Sequence, residues 1–370
     1  MTSAPYVLTR QTAWHQANSP ADRALLELEI GCYLAREGDI GTASQVREKV
    51  RAEFGSGINA RVSIRLMCLE ALIHYYTDAD PRAIDRMMRA QLLSGAFRQT
   101  DLLAFTSAWL AHLSFHGSRP AELARSLLLA TQSVRAEDEE ALCRTVMTLG
   151  DITTYLGDFA AAKAWYSKAH RLCVSLGDHA FISALTYNKP AMAAFSSRLH
   201  KSLDAEFGAD PTTFEFELRT AHSYQSAAGV TSHPGMQNVA YVAASMVIGN
   251  YKLAEERIDK AIGELKGVAL EANRLPLMAD KALCEAQLGR LDASVNLIGE
   301  VVGADWSSVD ADDQLIMASA LHDAAEIAGS VLPSFLDGRV MELRAEVNEK
   351  LSRMKVDLAA LLAWQLDGLQ

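Results

Sequence analysis

His112 and His116 stand four residues apart in a segment whose pattern predicts a helix. That spacing turns two imidazoles to one face, where they can share a transition-metal ion. Such a site needs a third ligand, and none lies nearby in the sequence, so the pair is read as interhelix or surface histidines and no metal is expected. Asp310, Asp312 and Asp313 invite a calcium reading, but the following glycine and the distal glutamate of a helix-loop-helix calcium site are missing. Carboxylates in the first turn of a helix, where the macrodipole favours negative charge, explain them better. The run from Glu137 to Glu140 reads in the same way as a solvated loop and first turn. The chain carries no glycine-rich phosphate cradle, no G-x-S-x-G elbow and no H-E-x-x-H. No catalytic residue and no cofactor is therefore expected, which leaves binding as the class of function to be explained.

Positioning any binding site requires a folded scaffold, and the composition provides for one. Hydrophobic residues make up 49% of the 370 and charged residues 22%, which excludes a disordered chain. The net charge of −11, with no basic stretch interleaved with aromatics, argues against a nucleic-acid partner. No apolar run approaches the roughly 18 residues of a membrane-spanning helix, and the start lacks the features of a signal peptide, so a cytoplasmic location without membrane contact is expected. Cys32, Cys68, Cys143, Cys173 and Cys284 are scattered through helical patterns, as reduced thiols in small core positions would be.

The positioning elements repeat. Leu149-Gly150, Gly157-Asp158-Phe159, Ala162, Tyr166 and Ala169 describe two short helices packed as a hairpin, with Gly150 and Ala162 allowing close approach and Gly157 ending the first helix. Turn glycines recur at Gly38, Gly117, Gly157, Gly249, Gly289 and Gly329, several of them 40 residues apart, with Asp78 and Ser197 in the remaining slots. Small residues follow five positions later at Ala43, Ala83, Ala162, Ala254 and Ser294, and again at Ala90, Ala169 and Ala261. About eight hairpins fill residues 21–333, after a loose lead-in over residues 1–20. The interval from Ser197 to Gly249 is 12 residues longer than the period, which places an insertion near residues 199–210. Pro190 falls inside a first helix, where it removes a hydrogen bond and predicts a kink near Tyr187 and Asn188. From Ser334 to about Leu366 one long helix is predicted, with Val340, Leu343, Val347, Leu351, Met354, Leu358 and Leu361 as an apolar stripe. Such a stripe in the segment 334–370 serves as a cap on the last repeat, as a seam for self-association or as a linker to a further domain.

The skeleton around Gly150 and Gly157 resembles the tetratricopeptide repeat, with a period longer than the 34 residues of its commonest form. The resemblance implies an all-α fold, a right-handed superhelix of antiparallel helical hairpins. It also implies that the slot two residues before each turn faces a concave groove. Tyr76, Phe115, Tyr155 and Phe195 share that slot at spacings of 39, 40 and 40, so a ladder of rings along the groove is expected, or else rings that pack successive first helices together. Neighbouring slots add Arg36, Arg65, Tyr75, Arg144, Asp151, Tyr187 and Asn188. The Lys and Asn pairs with which some family members clamp a terminal carboxylate are not reproduced at the matching slots.

The expected function is a non-catalytic scaffold or adaptor that holds a protein segment or peptide in the groove. The alternative is the regulatory sensor half of a bacterial signalling protein. In its period the chain resembles the helical sensor regions of some bacterial transcription activators and diguanylate cyclases, and Leu366-Asp367-Gly368-Leu369 resembles the L-T-G-L entry to a cyclase domain.

Overall fold

The turn chemistry read from the sequence is what divides this chain into helices. A glycine with a left-handed backbone ends a helix and an Asp or Asn follows as the next N-cap: Gly38 (φ 101°) with Asp39, Gly157 (φ 84°) with Asp158, and Gly249 (φ 74°) with Asn250. In each, the cap side chain accepts from the backbone N–H three residues on. The turn after Asp78 is made instead by Ala79 in the left-handed region.

The computed structural model describes residues 4–55, 59–332 and 335–362. Among them, helix α1 (Pro5–Gln16) precedes eight helix pairs. These are α2 (Pro20–Glu37) with α3 (Ile40–Phe54), α4 (Ala60–Asp78) with α5 (Arg82–Ala96), α6 (Thr100–His116) with α7 (Pro120–Ser133), and α8 (Glu139–Tyr155) with α9 (Phe159–Leu176). They continue with α10 (His179–Ser202) and α11 (Phe214–Ala228), α12 (Pro234–Val247) and α13 (Tyr251–Glu264), α14 (Gly267–Gln287) and α15 (Leu291–Val302), and α16 (Ala311–Ala328) and α17 (Phe335–Leu362). No strand occurs among the described residues. The molecule is a helical-repeat solenoid, and no described helix is long and apolar enough to cross a membrane.

Three details differ from the sequence reading. Ser197 is not a turn: α10 runs through Pro190 and on to Ser202, because Leu199 is buried in the core and the left-handed residue that breaks the chain is Asp204 (φ 55°). The lead-in is helical, and α1 escaped notice because it buries only Tyr6 and Val7 and so has no apolar period. Tyr6 stacks on Tyr33 at 5.5 Å between ring centres and donates to Glu140. The cysteines, distant in sequence, include one close pair, since α8 and α9 bring Cys143 Sγ and Cys173 Sγ to 2.8 Å.

The first helix of each pair lies on the inside of the curve. Helices α2 and α10, α4 and α14, and α10 and α16 touch although they are far apart in sequence, which requires the solenoid to curl back upon itself. Turns of early hairpins then meet loops of late ones. Thr231 N donates to Glu37 O at 2.7 Å, Ser118 Oγ donates to Asp310 Oδ2 at 2.8 Å, and any side chain at Gly38 would collide with Thr231. The stripe on α17 is covered by the chain's own α7 and α16: Leu343, Val347, Leu351, Met354, Leu358 and Leu361 are buried and Val340 packs against the same core. The face for which a cap, a seam for self-association or a linker was expected is taken up inside the chain. The closing segment 366–369 lies outside the described residues.

The close crossing of α8 and α9 has a measurable consequence. A Cβ on Gly150 would sit 2.6 Å from Tyr166 Cε1, and Tyr166 is held by its hydrogen bond to Asp151. Overpacking of this kind costs about 1–3 kcal/mol, which outweighs the up to about 1 kcal/mol that alanine gains over glycine inside a helix. Gly150→Ala is expected to lower the denaturation midpoint, and a raised midpoint would show the crossing to be looser than described.

Candidate functional site

Four neighbouring inner helices, α4, α6, α8 and α10, bring most of the polar slots into one cluster. Tyr75 and Tyr76 at the end of α4 pack edge to face, with ring centres 5.0 Å apart. Tyr75 meets His112 of α6 at 5.8 Å, and His112 meets His116 at 4.5 Å. On α8, Arg144 and Asp151 are seven residues apart, so two turns put them on the same face. Asp151 accepts from Tyr166 Oη at 2.8 Å and from Asn188 Nδ2 of α10 at 3.3 Å. Tyr187 donates to Met236 O at 2.8 Å. The loop 229–233 crosses from the later hairpins and packs His233 against both Tyr75 and Tyr76, at 5.3 and 4.9 Å. His233 carries a left-handed backbone, φ 50°, costly for a residue other than glycine.

Arg144 is the anomaly of this cluster. It is 1% exposed, and its guanidinium lies 4.0 Å from the Trp109 ring centre and 4.9 Å from that of Phe181. No carboxylate pairs with it among the described residues, and its Nε and Nη2 have no partner. Cation–π contact returns about 2 kcal/mol when desolvated, less than the several kcal/mol that burying an unpaired charge costs. Arginine cannot escape by losing its proton. His112 Nδ1, His233 Nε2 and Trp109 Nε1 are also buried without partners, as are Ser114 Oγ of α6 and Ser183 Oγ of α10.

The other residues expected at the groove are used within the fold. Arg36 pairs with Asp178 at 2.7 Å and Glu140 at 3.7 Å, and Arg65 pairs with Glu140 at 2.8 Å. Both are buried, with their charge neutralised. Tyr155 is 4% exposed, and it donates to Asp312 Oδ2 of α16 at 2.7 Å beneath Lys350 of α17. Tyr155 is thus a packing ring, closed off because the last hairpin returns over it. Phe115, half-buried, packs edge-on to Tyr155 at 5.8 Å, and Phe195, also half-buried, leans on the core. Tyr76 is half-buried beside Arg144. Tyr76 reaches the polar cluster directly and Phe115 touches it through His116, at 5.3 Å between ring centres, whereas Tyr155 is closed off in the core. Trp109, Phe181 and His233 were not singled out in the sequence: the first two are buried apolar rings like any core residue, and His233 arrives on the loop 229–233. Asp151 lies close to His112 and His116 in space, with donor atoms of the three within 4.8 Å of one another, a proximity that the sequence did not show.

The electrostatics of the cluster follow from burial. Burial lowers the pKa of His233 to about 4, and burial with the neighbouring Arg144 charge holds His112 well below its usual value. Burial raises Asp151 to about 6, against the Tyr166 hydrogen bond and the Arg144 charge. For His233 the folded pKa lies below the unfolded one, so the unfolded chain takes up its proton first. Its contribution to stability is complete above about pH 6.5 and is lost toward pH 4. Between pH 7 and pH 5 the His233→Gln variant is expected to lose up to about 2 kcal/mol less stability than the parent chain. Denaturant titrations at the two pH values check this, and parallel losses in both proteins would contradict it.

No protein-family model matches the chain, and no curated protein matches it. A solved structure does resemble it: a Rap protein complexed with competence and sporulation factor. The likeness has a TM-score of 0.54 at 13% identity and covers 92% of this chain and 99% of that one. At this identity the similarity is one of fold.

Proposed function

We propose that the protein is a non-catalytic receptor or adaptor of tetratricopeptide type that binds a peptide or protein segment on its inner face. A carboxylate of that ligand, terminal or from an Asp or Glu side chain, pairs with Arg144. The observation that carries the reading is the buried guanidinium without an anion, set against Arg36 and Arg65, whose charges are met. Tyr75, Tyr76 and His233 supply ring surface beside it, and ring surface gives contact area for little lost side-chain freedom. The Rap protein, a chain of the same fold with a factor bound, supports the reading. Five free, buried cysteines fit the reducing cytoplasm of a bacterium.

A sensor role is the second reading, and the turn-to-loop contacts favour it. A ligand at Tyr75 and Tyr76 would bear on His233, two residues from the Thr231–Glu37 bond that joins early and late hairpins. Binding would then shift the curl of the solenoid.

The test uses peptides with free C-termini, selected from a random library on the full chain. Arg144→Met is expected to weaken the selected peptides by about 10- to 100-fold, as loss of a charge-assisted hydrogen bond would. The same change removes an unpaired buried charge, so the fold should be unaltered or more stable by about 1–4 kcal/mol. Strong destabilisation with unchanged affinity would make Arg144 a structural residue and defeat the assignment.

A further inference from the structure

We propose that His112, His116 and Asp151 form a three-ligand site for a divalent transition ion of the zinc class. The site is defined by the protein's own side chains and stands whether or not the groove takes a peptide. His112 and His116 project from one face of α6 at a four-residue spacing, and Asp151 projects toward them from α8. Their donor atoms lie within 4.8 Å of one another. Zinc bonds of about 2.0–2.2 Å in a tetrahedron require donors about 3.4 Å apart, a gap that small side-chain rotations close. Two nitrogens and one carboxylate oxygen suit zinc and its neighbours better than magnesium or calcium, which prefer all-oxygen shells.

The surroundings are those of metal ligands. Each Asp151 oxygen accepts one hydrogen bond, from Tyr166 and from Asn188, which fixes the carboxylate and leaves a lone pair free on each oxygen. His112 turns Nε2 toward Tyr75 Oη at 3.5 Å and keeps Nδ1 buried with no protein partner. One imidazole nitrogen on a second-shell group and the other free is the arrangement a ligating histidine adopts. His116 is exposed, which gives an ion a way in and leaves the fourth corner open to solvent or to a ligand in the groove. The opposing term is Arg144, a like charge. Seven residues of helix, roughly 10 Å, separate its Cα from that of Asp151.

The experiment titrates zinc into chelator-stripped full-length protein by calorimetry and cobalt into the same protein by visible absorption. One equivalent per chain, with the intense absorption of tetrahedral cobalt and a raised melting temperature, is expected. His116→Ala removes an exposed side chain and is expected to abolish that equivalent and the cobalt spectrum. Asp151→Asn, which preserves shape, is expected to weaken uptake by at least about tenfold. His170→Ala, an exposed histidine on α9, should change neither. Absence of stoichiometric uptake by the parent chain, or uptake that survives both His116→Ala and Asp151→Asn, overturns the site. Should either variant melt early, the other decides.

Discussion

Removing residues 334–370 is expected to unfold the last hairpins and to abolish a single cooperative melt. Helix α17 buries Leu336, Leu343, Val347, Leu351, Met354, Leu358 and Leu361 against α16 and α7. At about 1.5–3 kcal/mol for each fully buried side chain, the lost contacts amount to on the order of 10 kcal/mol before the ordering entropy of the helix is subtracted. That is comparable with the whole stability of a typical domain. The loss extends beyond the end of the solenoid, since α7 belongs to the third hairpin. Lys350, which bonds Asp312 at 2.6 Å, goes with it. Charge at Leu351 or Leu358 should act in the same direction and destabilise the chain. A surface seam would instead yield a folded monomer of unchanged stability. Circular dichroism melts beside light scattering separate these results, and a truncated chain that melts like the parent would refute the packing described for α17.

The second large effect is expected at Arg36. Its guanidinium joins α2 to the N-terminal cap of α10, where Asp178, fully buried, also accepts from Phe181 N at 2.9 Å. Arg36→Leu leaves Asp178 charged and unpaired in the interior, a loss of about 3–5 kcal/mol. The double variant Arg36→Leu with Asp178→Asn removes both charges and should recover part of that. Arg144→Met, one apolar substitution for another buried arginine, should move stability the opposite way. Denaturant midpoints for the three variants make the comparison, and equal losses at Arg36 and Arg144 would mean that the two charges are equally well compensated.

The contrast between those two arginines shows what the sequence could and could not say. Local chemistry was legible: Gly38-Asp39, Gly157-Asp158 and Gly249-Asn250 each make a hairpin turn because a left-handed glycine and an N-cap are adjacent in the chain. Ser197 misled because a period predicts where a turn is due, whereas burial of Leu199 and a left-handed Asp204 decide where it falls. The cluster residues Tyr75, Tyr76, Arg144, Asp151, Tyr187 and Asn188 were found by register, which is a property of single helices. Which of the charges remain unmet is decided by partners far along the chain. Glu140 and Asp178 neutralise Arg36, Asp312 covers Tyr155, and Asp151 approaches a histidine pair that had looked incomplete. The contacts of Arg36 and Tyr155 arise only when the solenoid curls, that of Asp151 when adjacent hairpins stack, and no pattern within one repeat records either.

The central claim, that ligands are held on the inner face beside Arg144, is tested most directly by photo-cross-linking. The probe is a peptide selected on the full chain, carrying a benzophenone side chain next to its terminal carboxylate. Adducts are expected at the ends of α4 and α6, on Tyr75, Tyr76 or His116, and in the loop 229–233, with their yield falling sharply in Arg144→Met. Adducts confined to the outer helices α5, α7 and α9, at a yield indifferent to Arg144, would contradict the account.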